Sequence, residues 1–218
     1  MKLNKILSIT LLAGALMLSA CGSKGNDNSG DSGSGGDSTP TGPVYTITET
    51  EYLLLKAKFS SPRIFIEGNF TMDVTFEGGS FTDKFDNGRF DGYVEGEHCV
   101  FDLQVDTYNA STKKATGDMY LYDEDDGWDK DTDEIDLAYW HPGVFYGFGY
   151  IVDSLEDCTY NEDTRTYVGT KTVEGETVTS KISFKDGQFL SIELQGGLVK
   201  YEFSNYGTTT VTLPELVG

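Results

Sequence analysis

The stretch from Val178 to Leu213, VTSKISFKDGQFLSIELQGGLVKYEFSNYGTTTVTL, decides the fold. Val178, Ser180, Ile182 and Phe184 fall on one face of a strand, and Leu190, Ile192 and Leu194 on one face of the next. A three-residue loop Lys185-Asp186-Gly187, with Gly187 left-handed, sets these rows opposite each other. A two-residue Asp-Gly turn would instead set Phe184 against Phe189 and Ile182 against Ser191, so the longer loop is expected. Gly196-Gly197 is a hairpin turn that sets Leu194, Ile192 and Leu190 against Val199, Tyr201 and Phe203. Asn205-Tyr206-Gly207 then sets Phe203, Tyr201 and Val199 against Thr209, Val211 and Leu213. The expectation is a four-stranded antiparallel meander with one apolar face and one face of Lys, Glu, Ser and Thr.

At the other end, Lys2 and Lys5 precede an apolar run from Ile6 to Ala20, shorter than the roughly 20 residues of a membrane-spanning helix and typical of an export signal. Leu18-Ser19-Ala20-Cys21, followed by Gly22, resembles the lipobox of bacterial lipoproteins. That resemblance implies cleavage before Cys21, attachment of a diacylglycerol group to that Cys and anchorage at the extracytoplasmic face of the cell membrane. The alternative is a secreted chain with an unused thiol. Two acyl chains, at about 0.8 kcal/mol per buried CH₂, give stable anchorage. Residues 22–43 are almost entirely Gly, Ser, Asp and Asn and read as a disordered tether, reaching about 25 Å on average.

Residues 44–218 have the length of one domain. The three lysines and three aspartates before them cancel, so the whole formal charge of -20 lies on this domain. Such a surface repels phosphate backbones, which argues against nucleic acid, and favours cationic partners, metal ions or simple solubility.

The domain opens with a predicted helix, where Thr48 and Glu51 form a capping box and Tyr52, Leu55 and Phe59 share a face; Ser61-Pro62 ends it. Phe70, Met72, Val74 and Phe76 alternate with polar residues as in a half-wet strand. Phe81 to Phe85 and Phe90 to Val94 flank a hairpin signal at Asp86-Asn87-Gly88. Cys99, Phe101, Leu103 and Val105 mark another strand, and Met119 and Leu121 a further one.

From Asp123 to Asp136 nine acids stand against one lysine, a net -8. Asp129, Asp131 and Asp133 copy the first three ligand positions of an EF-hand loop, but Glu134 stands where that loop needs Gly and Trp140 where it needs a bidentate Glu. Two readings stand, a solvated loop and a Ca²⁺ site. After it, Phe145, Phe148, Val152 and Leu155 recur at helical spacing, either lining a ligand mouth or packing as a core helix. Cys158 to Tyr160 and Tyr167 to Val173 return to strands, and the turn at 174–177 sets Tyr167 opposite Phe184.

The closing run Tyr201-Glu202-Phe203-Ser204-Asn205-Tyr206-Gly207-Thr208, continuing to Val211-Thr212-Leu213-Pro214 and preceded by Phe184-Lys185-Asp186-Gly187, resembles the lipoprotein-carrier superfamily that includes the localisation factor LolA and mycobacterial lipid-binding lipoproteins. The likeness is close over about the last 40 residues. It implies a mainly β, α+β fold in which a curved antiparallel half-barrel holds acyl chains in an apolar cavity beneath a few short helices. No catalytic residue is carried over, and the acidic segment before Trp140 departs from the pattern.

The strand rows point the same way. Phe70, Met72, Val74 and Phe76 with Phe101, Leu103 and Val105, and Ile182 and Phe184 with Leu190, Ile192, Leu194, Val199, Tyr201 and Phe203, present more apolar surface than two short helices cover. Either the sheet curls into a dry core, or a ligand site is left that Phe145 and Phe148 help to line. Cys99 and Cys158, both on expected strands of an exported domain, either pair as a disulfide or act as small buried hydrophobes. No G-x-S-x-G, C-x-x-C, H-E-x-x-H or phosphate loop is present, and the reading is of a protein without catalytic activity or an obligatory cofactor. Three functional classes remain: a membrane-anchored binder or carrier of a hydrophobic ligand, a surface interaction module whose acidic segment meets a cationic partner or Ca²⁺, and a hydrolase, disfavoured by the missing motifs, which would need a cleft gathering several carboxylates or a histidine with a nucleophile.

Overall fold

Among the described residues, eleven strands hydrogen-bond into one open antiparallel sheet. The computed structural model describes residues 43–216 except residue 95, and for residues 142–146 only the backbone. The signal segment, Cys21 and most of the tether lie outside the described residues. The strands are β1 (Asn69–Phe76), β2 (Gly79–Asp86), β3 (Arg89–Val94), β4 (Glu97–Leu103), β5 (Lys114–Asp123) and β6 (Gly127–Asp136), then β7 (Thr159–Asn161), β8 (Thr166–Val173), β9 (Glu176–Lys185), β10 (Gln188–Leu194) and β11 (Val199–Ser204). In space they run β6-β5-β4-β3-β2-β1-β11-β10-β9-β8-β7. Two meanders, one from each half of the chain, meet where β1 pairs with β11.

That central pairing corrects the expected fourth closing strand. β1 occupies the free edge of β11, from Thr71↔Ser204 to Phe76↔Val199, so residues 209–213 find no edge and form no strand. They run over the opposite face. Asn69 holds Thr209 through both ends of its amide, Asp86 accepts the Val211 N–H at 3.2 Å, and Val211 is buried against Val100 and Tyr120.

The turn between β9 and β10 is also corrected. Asp186 and Gly187 both adopt positive φ, 51° and 75°, so two residues suffice and Phe184 pairs with Phe189. A register shift between Phe189 and Ser191 then restores Ile182↔Ile192 and Leu194↔Ser180. Leu190, expected inward, is left 39% exposed at this irregularity. The next turn delivers Leu194↔Val199 and Ile192↔Tyr201 as the sequence predicts. Tyr167 pairs with Ile182, two residues from the expected Phe184, and its ring packs edge-on against Phe184.

Among the described residues, three α-helices, of eleven, four and nine residues, lie on one face of the sheet: α1 (Glu49–Phe59), α2 (Ile64–Glu67) and α3 (Leu137–Phe145). The α1 capping box forms as expected, with Thr48 accepting from the Glu51 N–H and Glu51 accepting from the Thr48 N–H. α1 ends at Phe59, just before Ser61-Pro62 as expected, and a separate short helix, α2, follows and buries Ile64, Phe65 and Ile66. The helix expected over 145–155 lies earlier. Asp136 accepts the N–H groups of Ala138 and Tyr139, starting α3 directly after β6 and leaving Tyr146–Gly149 as a 3₁₀ turn.

Candidate functional site

The face beneath the helices is an almost continuous layer of rings. Phe59 of α1 packs at centroid distances of 5.0 to 5.4 Å on Phe70, Phe148, Phe189 and Phe203. Phe65 of α2 meets Phe85, Phe90 and Phe101, and Trp140 of α3 stands edge-on to Phe101 at 5.3 Å. All three helices therefore cover the same side, here termed the inner face. The other side is wet and carries cross-strand ion pairs such as Lys84–Asp91, Arg89–Asp102 and Lys181–Glu193.

The residues expected to line a ligand site fall mostly on this inner face. Phe70, Met72, Val74, Phe101, Leu103, Phe148, Ile182, Phe184, Ile192, Tyr201 and Phe203 are buried, and Val199 is half-buried. Three are not placed as expected. Phe76 ends β1 and is 37% exposed; Leu190 sits at the irregularity; Val105 belongs to a 3₁₀ turn after β4 and is 47% exposed. The side chain of Phe145 lies outside the described residues. The inward rows are covered by α1 and α2 side chains, above all Phe59 and Phe65.

α1 is fastened at its rim by polar contacts. The buried Tyr52 hydroxyl donates to the Val152 carbonyl at 2.6 Å, and Lys56 Nζ reaches the same oxygen and Asp153, each at 2.8 Å. Burial pushes the Tyr52 phenol up, with help from nearby acids, so it stays a donor at neutral pH. His141, in the middle of α3, has Nε2 3.0 Å from the Phe59 carbonyl, and burial pushes its pKa down.

One inner-face residue escaped the sequence reading. Asp83 sits between Phe81 and Phe85 along β2, faces Met72 across the ladder and is fully buried. The β2–β3 ladder runs from Asp86↔Arg89 to Lys84↔Asp91, and beyond it Asp83 Oδ1 accepts the Tyr93 N–H at 2.9 Å in place of a backbone carbonyl. Gly92 makes this possible, since a Cβ there would collide with the Asp83 carboxyl and the Phe90 ring. Burial, reinforced by Asp91, raises the Asp83 pKa well above the carboxylate range against the pull of the Tyr93 N–H. The signal was present in the sequence as an acid on the Phe81–Phe85 row.

The acidic segment is a strand rather than a loop. Asp123↔Gly127 closes a hairpin, and Asp129, Asp131 and Asp133 share one side of β6, an edge strand. Extended backbone spreads them along the strand instead of wrapping them around one point. Among the described residues no three His, Cys, Asp or Glu side chains gather as a metal site. A recess of about 150 Å³ lies beside them, walled by Met119, Ile135, Asp136 and Trp140. Cys99 and Cys158 are free thiols: seven strands separate β4 from β7, which Cys158 adjoins, so of the two readings the paired one does not form.

Comparison with protein-family models, with curated proteins and with solved structures finds no match.

Proposed function

We propose that this chain is an exported lipoprotein, acylated at Cys21 and tethered by residues 22–43 outside the cytoplasmic membrane, whose sheet bends into a half-barrel and takes a hydrophobic ligand such as an acyl chain between its inner face and the helices. The observation that carries this reading is the one-sidedness of the sheet. An eleven-stranded apolar face is roofed by three short helices and not by a second sheet. Short helices held by side-chain packing and a few rim hydrogen bonds separate from a sheet more cheaply than paired strands do. α1 is the movable part. Swinging it outward withdraws Phe59 from among Phe70, Phe189 and Phe203 and leaves a ring-lined slot that an acyl chain refills, restoring about 25 cal/mol per Å² of apolar contact.

Mass spectrometry of the full-length protein purified from its own cells tests this. A mass excess under native conditions that disappears on denaturation, leaving only the covalent modification of Cys21, is the expected result. A bare native mass in several detergents overturns the proposal.

The acidic edge strand favours a second reading, in which β6 meets Ca²⁺ or a cationic partner. Calorimetric Ca²⁺ titration with Asp131→Ala and Asp133→Ala combined tests it, and heat unchanged by the substitutions overturns it.

A further inference from the structure

The inner face holds a carboxyl group that its surroundings do not use. Asp83 Oδ1 is engaged by the Tyr93 N–H, while Oδ2 is buried with no hydrogen-bond partner. Around it stand Met72 across the ladder, the fully buried Phe85 and Phe90, and Cys99 beyond Gly92, with the Asp91 carboxyl and the Tyr201 hydroxyl within electrostatic reach but not hydrogen-bonded to it. Position 92 has given up its side chain to admit this group, so the arrangement is built into two strands. A carboxyl in such a layer is neutral, and because Oδ1 accepts from the backbone, the proton belongs on Oδ2. The unpartnered atom is therefore a donor that lacks an acceptor.

Resting on the function proposed above, we infer that the hydrophobic ligand is uncharged and carries an oxygen, the hydroxyl of an alcohol or the carbonyl of an ester, that accepts a hydrogen bond from Asp83 Oδ2. A pure hydrocarbon would leave the donor unsatisfied. A fatty-acid anion would bring an unpaired charge into a dry layer of a domain that already carries the chain's net charge of -20, and Lys84, beside Asp83 in sequence, is turned to the outer face and engaged by Asp91. An ammonium would require an ionised Asp83 and a buried ion pair, whose desolvation offsets its attraction.

Displacement of the neutral fluorophore N-phenyl-1-naphthylamine from the full-length chain by decan-1-ol, decane and decanoate tests the inference. Decan-1-ol is expected to compete about tenfold better than either of the others, the worth of one buried hydrogen bond. Asp83→Asn keeps an N–H donor at the same place and is expected to retain the preference over decane; Asp83→Val is expected to reduce it to within about twofold. Decanoate competing as well as decan-1-ol, or an undiminished preference in Asp83→Val, overturns the inference. Should Asp83→Val not fold, the parent protein still decides: its protonated-carboxyl infrared band, identified by its loss in Asp83→Asn, is expected to shift on adding decan-1-ol, and an unmoved band overturns the inference. Displacement by none of the three compounds instead overturns the ligand-binding reading itself, and this inference with it.

Discussion

The Tyr52 hydroxyl and the Val152 carbonyl, 100 residues apart in sequence, share a 2.6 Å hydrogen bond that fastens α1 to the segment preceding β7. Because Lys56 Nζ also donates to that oxygen, Tyr52→Phe leaves no orphaned acceptor. The expected cost is about 1 kcal/mol of stability in urea unfolding, together with faster uptake of N-phenyl-1-naphthylamine as α1 loosens. Tyr52→Ala also removes the ring packed against Phe184 and should cost about 3 to 5 kcal/mol. Uptake unchanged in Tyr52→Phe would argue against α1 as the moving element.

Asp83 fixes the sign of a pH effect. Its folded-state pKa is raised above the ordinary 3.8, so the folded chain holds the proton more tightly than the unfolded chain. The stability this contributes is complete below the unfolded value and is lost as pH rises toward the folded value. Asp83→Asn removes the dependence. The variant's advantage over the parent should grow by up to about 1.4 kcal/mol per pH unit across that window, measured by denaturant unfolding at a series of pH values. A constant offset would show that the carboxyl is ionised in the folded protein.

Gly92 and Asp83 should be coupled. Gly92→Ala places a methyl group where the Asp83 carboxyl lies, so it is expected to cost about 1 to 3 kcal/mol by overpacking. Combined with Asp83→Ala, which vacates that space, it should cost much less, and a double-mutant cycle should return about 0.5 to 3 kcal/mol of coupling. Additive effects would mean that the two side chains do not compete for the same volume.

Asn69 holds the C-terminal strap. Asn69→Ala removes the 2.9 Å acceptor for the Thr209 N–H and the 3.1 Å donor to its carbonyl, while Thr71 keeps its hydroxyl contact with Thr209 at 3.0 Å. The expectation is a loss of about 1 to 2 kcal/mol and faster amide exchange at Thr209 and Val211, with exchange in β9 unaffected.

The two thiols should differ in reactivity. Burial pushes the half-buried Cys158 up to about 11 and the fully buried Cys99 further still, so neither is an appreciable thiolate at neutral pH. In the folded protein a thiol-specific reagent should label Cys158 slowly and Cys99 not at all, with both labelled after unfolding without reductant. A requirement for reductant would reveal a disulfide.

Much of the sheet was legible because alternation is local. The Phe70–Phe76 row, the Asn87-Gly88 turn that joins Asp86 to Arg89, and the Leu194↔Val199 register follow from neighbouring residues. The turn at Asp186-Gly187 misled because an uninterrupted ladder after a two-residue turn would set Ile182 against Ser191, and only the irregularity at Leu190 lets that turn and the Ile182↔Ile192 pair coexist. Residues 209–213 alternate like a strand, yet lose their place to β1, a competitor more than 100 residues away in sequence.

The sequence by itself determined that this is a predominantly antiparallel chain with one oily side, since side-chain period and turn chemistry act over a few residues. Only the tertiary structure decided that the first and last strands meet in the middle of the sheet, that Phe59 and Phe65 fill the oily side, and that an acid is sealed among the rings. Those outcomes depend on which distant segments win a shared edge or a shared volume, a competition that no local pattern records.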